Sequence, residues 1–299
     1  MNGGILTNGN LPQQFFVRNP QFGSVALVGN NGNSTYNSVQ GHVSQRFSKG
    51  VSGQFSYTFS KALGDNLIRD QNNLSLSKGL LNIDRTHLLQ GNITWDLPFG
   101  SMGKFLGNSG IGRQVVGGWE LSSGFSWISG TPLTLTSTDN TLNFRGTNTA
   151  DLVGAFPDNA GQVVKGNGFV QYFPGLSTKI APAPSFGGDP TLPGRFTNQV
   201  VVDGSGNIIF ANPTPGTTGN TAVNLPFMKG PGQLGLNGAL NKQFRIRESK
   251  TFAIRADVIN LLNKPQWGNP NTSINSTTFG RITTATGTRT ITFNARFDF

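Results

Sequence analysis

Cysteine is absent from the 299 residues, which excludes disulfides, thiolate metal sites and cysteine nucleophiles. Histidine occurs twice, and charged residues make up only 12% of the chain, about half the usual share. So little charge argues against a disordered polyelectrolyte, and 23 Phe against 3 Tyr argues against a polar linker. No run of about 18 apolar residues exists, so no helix is expected to span a bilayer. The start, MNGGILTNGN, has neither a basic nor an apolar stretch of the signal-peptide kind. The chain is therefore expected either to stay in the cytoplasm or to come from the interior of a longer exported polypeptide.

What the sequence does have is alternation. A mean hydropathy of −0.23 looks soluble, but period-two patterning hides an apolar half from any average. In TYNSVQGHVSQRF, Val39, Gly41, Val43 and Phe47 oppose Tyr36, Ser38, Gln40, His42, Ser44 and Arg46. After Ser48-Lys49-Gly50, Val51, Phe55, Tyr57 and Phe59 oppose Ser52, Gln54, Ser56, Thr58 and Ser60, which predicts a β-hairpin. Leu89, Ile93, Trp95 and Leu97 oppose Gln90, Asn92, Thr94 and Asp96, with Leu88 a misfit on the polar side. Trp119, Leu121, Phe125 and Trp127 oppose Glu120, Ser122, Gly124 and Ser126. Leu234, Leu236, Leu240 and Phe244 oppose Gln233, Asn237, Asn241 and Gln243, with Lys242 interrupting the apolar side. Phe252, Ile254, Ala256 and Val258 oppose Thr251, Arg255 and Asp257. Finally Ile291, Phe293, Ala295, Phe297 and Phe299 oppose Thr290, Thr292, Asn294, Arg296 and Asp298.

These segments predict about seven strands of roughly 10 to 13 residues, long for a soluble sheet and enough to cross a membrane when tilted. The connections alternate. From the C-terminus they are long near 261–288, tight at 246–249, very long near 131–232, moderate near 98–114, long near 61–85 and tight at 48–50. Outer-membrane barrels alternate short periplasmic turns with long extracellular loops. With the C-terminus in the periplasm, Phe47, Trp95, Trp119, Phe244, Phe252, Phe297 and Phe299 fall near periplasmic strand ends, while Tyr57, Phe59, Phe125 and Trp127 fall toward extracellular ends. Two aromatic girdles around a Val/Ile/Leu band are what a lipid-facing barrel needs. The fold class is thus all-β: an antiparallel up-and-down transmembrane β-barrel segment. Seven is odd, whereas bacterial single-chain barrels are even, and an open edge is not tolerated in lipid. Residues 1–34 are expected to be the remnant of an extracellular loop, and the chain the C-terminal portion of a larger barrel.

The runs SYTFSKALGDN, DRTHLLQGNITWDLPFG, GGWELSSGFSWISGTPLTL and TFAIRADVINLLNKPQWGNPN, with the closing FGRI and RTITFNARFDF, resemble the C-terminal barrel of TonB-dependent outer-membrane transporters, Oar-like branch. The likeness runs in order from about Thr35 to Phe299. It implies a barrel of about 22 strands with long extracellular loops, plugged by an N-terminal domain. No plug, TonB box or signal peptide is recognisable in the sequence, so coupling to the TonB complex is expected only through the missing N-terminal part. The resemblance also implies that Ile291, Phe293, Ala295, Phe297 and Phe299 form the signal read by the barrel-assembly machinery.

Other chemistry finds little support. His42 and His87 lie on different strands, His42 among Ser and Gln, and no nucleophile elbow or helical carboxylate pair is present. No enzyme activity, cofactor or metal is expected. Asp203-Gly204-Ser205-Gly206-Asn207 has alternating oxygens but lacks a distal Glu, and between Val200–Val202 and Ile208–Phe210 it reads as a hairpin turn. Gly110-Ile111-Gly112 does not complete a dinucleotide fingerprint. Formal net charge is +10 with pI ≈ 10.3, yet the cations form no stripe. Arg46, Arg245, Arg255 and Arg296 are expected in the lumen with Glu120, Asp257 and Asp298. Lys61, Arg69, Lys78, Arg145, Lys179 and Arg195 fall in loops, where outer-leaflet lipopolysaccharide phosphates account for them. Aromatics sit on the face opposite the lumenal Arg residues, so nucleic acid is not an expected partner. Residues 137–232 are rich in Gly, Pro, Asn and Thr and are expected to form a long loop over the extracellular mouth. The expected function is a component of TonB-coupled uptake in the outer membrane of a Gram-negative bacterium. The alternative is a soluble or surface-attached β-rich adhesion module.

Overall fold

The structure, a computed structural model, describes residues 29–30, 32–65, 69, 73–99, 115–137, 148–157, 160–181, 199–213, 218–247 and 250–299. The side chains of Phe47 and Arg247 lie outside the description, as do Gly110–Gly112, Arg145 and Arg195.

Among the described residues seven long strands form one sheet: β1 (Ser34–Ser48), β2 (Val51–Gly64), β3 (His87–Asp96), β4 (Trp119–Ile128), β5 (Gln233–Arg247), β6 (Lys250–Ile259) and β7 (Thr290–Asp298). They pair in chain order as an antiparallel meander, and a short strand, Gly79–Leu80, adds to the upper end of β2. The alternating sequence segments thus appear as neighbouring strands. The path is an open sheet; among the described residues the outer edges of β1 and β7 have no strand partner.

The β1–β2 turn shows why the sequence folds this way locally. Lys49 and Gly50 have φ of 51° and 82°, the positive pair that a two-residue turn needs to match strand twist. A side chain at Gly50 would meet the Asp96 carbonyl at 2.9 Å, while Asp96 N–H donates to the Gly50 carbonyl.

Register fixes the faces. Val43, Phe55, Gly91, Phe125 and Leu236 lie in one cross-strand row. Val51, Trp95, Leu121, Leu240, Ala256 and Phe293 lie in another. Because side chains alternate about the pleat, every row of this parity points to the same side. That side is apolar and open: Val39 and Val43 are each 71% exposed, and Phe55, Tyr57, Phe59, Ile93, Trp95, Leu121, Ile254 and Phe297 are also exposed. Monomeric soluble proteins do not leave such a continuous apolar surface in water.

The conventional core lies elsewhere. The described residues of the long connections 129–232 and 260–289 fold together into a cap built from short strands, including Ser177–Ile180, Gln199–Val202, Ile208–Ala211 and Asp151–Leu152. Leu135, Phe173, Val201, Phe210, Met228 and Ile274 pack together inside it, and Phe173 and Phe210 are fully buried. The sequence reading set a long loop over the extracellular mouth at 137–232, and the described parts of this region form a packed layer in which short apolar runs lie against one another. At Asp203 the expected hairpin turn forms. Its carboxylate accepts N–H bonds from Ser205 (2.9 Å) and Asn207 (2.8 Å) and from the Asn207 side-chain amide (3.0 Å).

Candidate functional site

The features that bear on function are the two faces of the sheet and the clasps that hold the cap over one end. All short connections lie at one end and the cap lies at the other.

On the apolar face the aromatics gather toward the two ends. At the short-turn end Phe244 and Phe252 stack at 6.1 Å, and Phe297 stacks on Phe299 at the same distance. Trp119 lies directly across from Lys242. This lysine, which breaks the apolar alternation, is only 2% exposed. Its ammonium lies 4.7 Å from the Phe244 ring centroid and 5.5 Å from that of Trp119, and donates to the Gly117 carbonyl. The long stem thus lies along apolar surface while the charge finds π-faces and a carbonyl.

At the cap end Tyr57, Phe59 and Trp127 are joined by His87, which the sequence reading placed on a strand without giving it a face. Its ring stacks with Tyr57 and Trp127 at 6.2 and 5.9 Å, and the Tyr57 hydroxyl lies 2.8 Å from Nδ1. Counting back by twos from Trp95, Ile93, Gly91 and Leu89 would have placed His87 on this face. Phe125 falls one row further from the cap than Trp127, beside Gly91, over which the Phe55 ring lies. An aromatic laid over a strand glycine covers backbone that would otherwise be bare.

Ile291, Phe293, Ala295 and Phe297 of β7 pair with Val258, Ala256, Ile254 and Phe252 and share the apolar face. Phe293 is 75% exposed, and Phe299 just beyond the strand is 92% exposed.

The opposite face is polar. Arg255 and Asp257 form an ion pair at 2.8 Å, to which the Asn294 amide donates at 3.2 Å. Glu120 joins the Arg255 row through Asn241. Arg296 pairs with Asp298 at 2.8 Å. The structure therefore brings together Glu120, Arg255 and Asp257 and, separately, Arg296 and Asp298. Arg46 lies in the bulge where register slips between Gln45 and Ser48, so alternation alone does not define its face. Nearer mid-sheet the face carries none of Asp, Glu, Lys or Arg. A hollow of about 390 Å³ there is lined by His42, Gln54, Ser56, Gln90, Asn92, Ser126 and Asn237. These groups can hydrogen-bond a solute; among the described residues no group of three or more His, Cys, Asp or Glu could hold a metal ion.

The cap is tied down by buried polar clasps that local patterning does not reveal. Asp84, 1% exposed, accepts from Ala62 N–H at 2.8 Å and pairs with Lys229 at 3.4 Å, while the Lys229 ammonium also donates to the Thr86 hydroxyl. Buried Arg69 donates to Thr149 Oγ1 at 2.8 Å and to the Gly219 carbonyl. Burial pulls its guanidinium below its ordinary value, and Asp151 opposes that shift. Burial pushes the Tyr172 phenol up to about 12, and its hydroxyl donates to the Lys229 carbonyl at 2.7 Å. Two amide side chains replace missing strands. Gln266 accepts from Leu234 N–H (3.0 Å) and donates to the Leu234 carbonyl (2.6 Å), and Asn220 does the same for Leu152 (2.7 and 3.1 Å). Each satisfies a stretch of sheet edge.

Comparison with known proteins agrees with the two-faced sheet. A family model described as outer membrane beta barrel domain matches residues 3–292. Searches of curated proteins and of solved structures found no match. The chain belongs to the outer-membrane β-barrel domain family, and its place is the outer membrane of a Gram-negative bacterium.

Proposed function

We propose that the chain is the C-terminal part of the barrel of a TonB-dependent outer-membrane transporter of the Oar-like branch, taking part in energised uptake of a solute. The observation that carries this reading is the parity of the sheet. With seven antiparallel strands in chain order among the described residues, β1 and β7 run in the same direction. A ring of identical copies would set β7 beside β1 in parallel. An all-antiparallel closure needs an odd number of further strands, as in a barrel of about 22.

The remaining features support the same assignment. The exposed apolar face meets lipid; an adhesion module in water would have to cover it. The cap sits at the extracellular end, where long loops capture ligand, and the polar hollow at His42, Gln90 and Asn92 borders the solute path. Lipopolysaccharide surrounds the cap end, the barrel-assembly machinery reads β7, and the TonB complex acts through an N-terminal region outside this chain. The chain itself carries no catalytic step and needs no cofactor.

The test is photo-crosslinking in cells that express the natural full-length gene product. A photoreactive residue at Gln90 or Asn92 should crosslink within the protein to a plug domain, and one at Ile93 should not. Crosslinking of Gln90 to no polypeptide would overturn the reading.

A further inference from the structure

The cap end of the apolar face carries charge where a lipid-facing surface has no general need of it. Lys61 does not lie in a loop, as the sequence suggested, because β2 runs on to Gly64; on it Tyr57, Phe59 and Lys61 alternate outward, and Lys61 is exposed. On β3 the neighbouring outward residue is His87, across from Phe59. Its ring lies 5.3 Å from the Phe59 centroid as well as between Tyr57 and Trp127. Its backbone is clamped: His87 N–H donates to Ser129 Oγ at 3.0 Å and Ser129 N–H returns to the His87 carbonyl at 2.9 Å. Over the outward positions of β1–β4 no Asp or Glu occurs, so the charge of Lys61 is not offset on that face.

The aromatic cluster marks depth, because Tyr and Trp settle at headgroup level. At that depth in an outer leaflet lie the phosphates of acylated glycolipid. We propose that Lys61 and His87 form a binding site for a phosphate of lipid A, with Tyr57, Phe59 and Trp127 seating the adjoining acyl chains. The Tyr57 hydroxyl and Nδ1 share a hydrogen bond at 2.8 Å, so Nε2 is the ring nitrogen left to meet a phosphate oxygen. Lys61 supplies the point charge. The proposal rests on the reading that this face meets lipid.

The experiment uses the full-length natural gene product, purified from outer membranes and stripped of lipid in detergent. Binding of bisphosphorylated lipid A, enzymatically dephosphorylated lipid A and phosphatidylglycerol is counted by native mass spectrometry. Wild type should retain bisphosphorylated lipid A most strongly. Lys61→Gln should lower its occupancy about fivefold, the weight of one cation near a charged leaflet. His87→Phe, which keeps the stack, should lower it again, whereas Lys179→Gln in the cap should not. Heat-modified gel migration checks that each variant is folded. Equal retention of dephosphorylated lipid, equal binding of phosphatidylglycerol, or no effect of Lys61→Gln overturns the site. A protein that never sediments with outer membranes would instead defeat the underlying membrane reading.

Discussion

Replacing Phe293 by Arg separates a lipid-facing surface from a water-facing one by magnitude. Phe293 lies near the middle of β7, 75% exposed, in a row with Leu121, Leu240 and Ala256. A Phe side chain presents about 200 Å², so roughly 150 Å² of it faces outward here. At about 25 cal/mol per Å² its transfer into acyl chains contributes about 4 kcal/mol. An arginine near the bilayer midplane costs about 2–4 kcal/mol on its own. The expected loss for Phe293→Arg is therefore about 6–8 kcal/mol in a membrane. In water the same exposed substitution stays within about 0.5 kcal/mol. Thr292→Arg is the control: it points to the polar face, directly across from Asp257, and should be nearly neutral. The assay is urea titration of the full-length barrel in lipid vesicles, followed by tryptophan fluorescence, beside heat-modified migration of protein assembled in cells. Equal stability of the two variants would refute the assignment of faces.

Three further perturbations probe other parts of the molecule. Gly91→Leu drives a side chain into the place of the Phe55 ring and should cost about 1–3 kcal/mol, read as a lowered urea midpoint. Lys229→Met leaves the buried Asp84 carboxylate without its cation, a loss of about 3–5 kcal/mol. That loss should appear as proteolysis of the cap on intact cells while barrel migration stays normal. Asp203 is held below the ordinary carboxylate range, first by the Asn207 side-chain amide and then by turn N–H groups. A depressed folded-state value means the charged form stabilises the hairpin above the unfolded carboxylate's range, and this support disappears as pH falls through the folded value. Hydrogen exchange over residues 199–211 should therefore quicken at acid pH in wild type, and Asp203→Asn should abolish the pH dependence.

The sheet was legible because its information is local. A strand two-sided in its solvent must alternate, and each of the seven segments states its own phase within ten residues or so. The same counting places His87 outward, but a histidine among Thr and Arg at a strand start reads more readily as part of the loop. Lys242 reads as an error in an apolar run until register sets it between Trp119 and Phe244. The cap was not legible for a different reason. Thr136 N–H reaches the Thr272 carbonyl, Ile274 N–H reaches the Thr136 carbonyl, and Thr131 bonds Asn269 from 138 residues away. Its strands are two to five residues long, too short to carry a period.

One chain thus folds against two solvents, and the placement of its phenylalanines records the difference. Phe173 and Phe210 are hidden in the cap because water surrounds it, and there burial is the only stabilising use of an aromatic ring. Phe55, Phe293 and Phe297 are left bare on the sheet, which water alone would not permit. A sheet of this kind has no core of its own, so its integrity depends on acyl chains outside and on neighbouring strands at both edges. The cap carries a core of its own. The polar clasps at Asp84, Arg69 and Gln266 lie where the two regimes meet. There, strand edges and buried carboxylates can count on neither bulk water nor lipid, and every donor and acceptor must be matched within the protein.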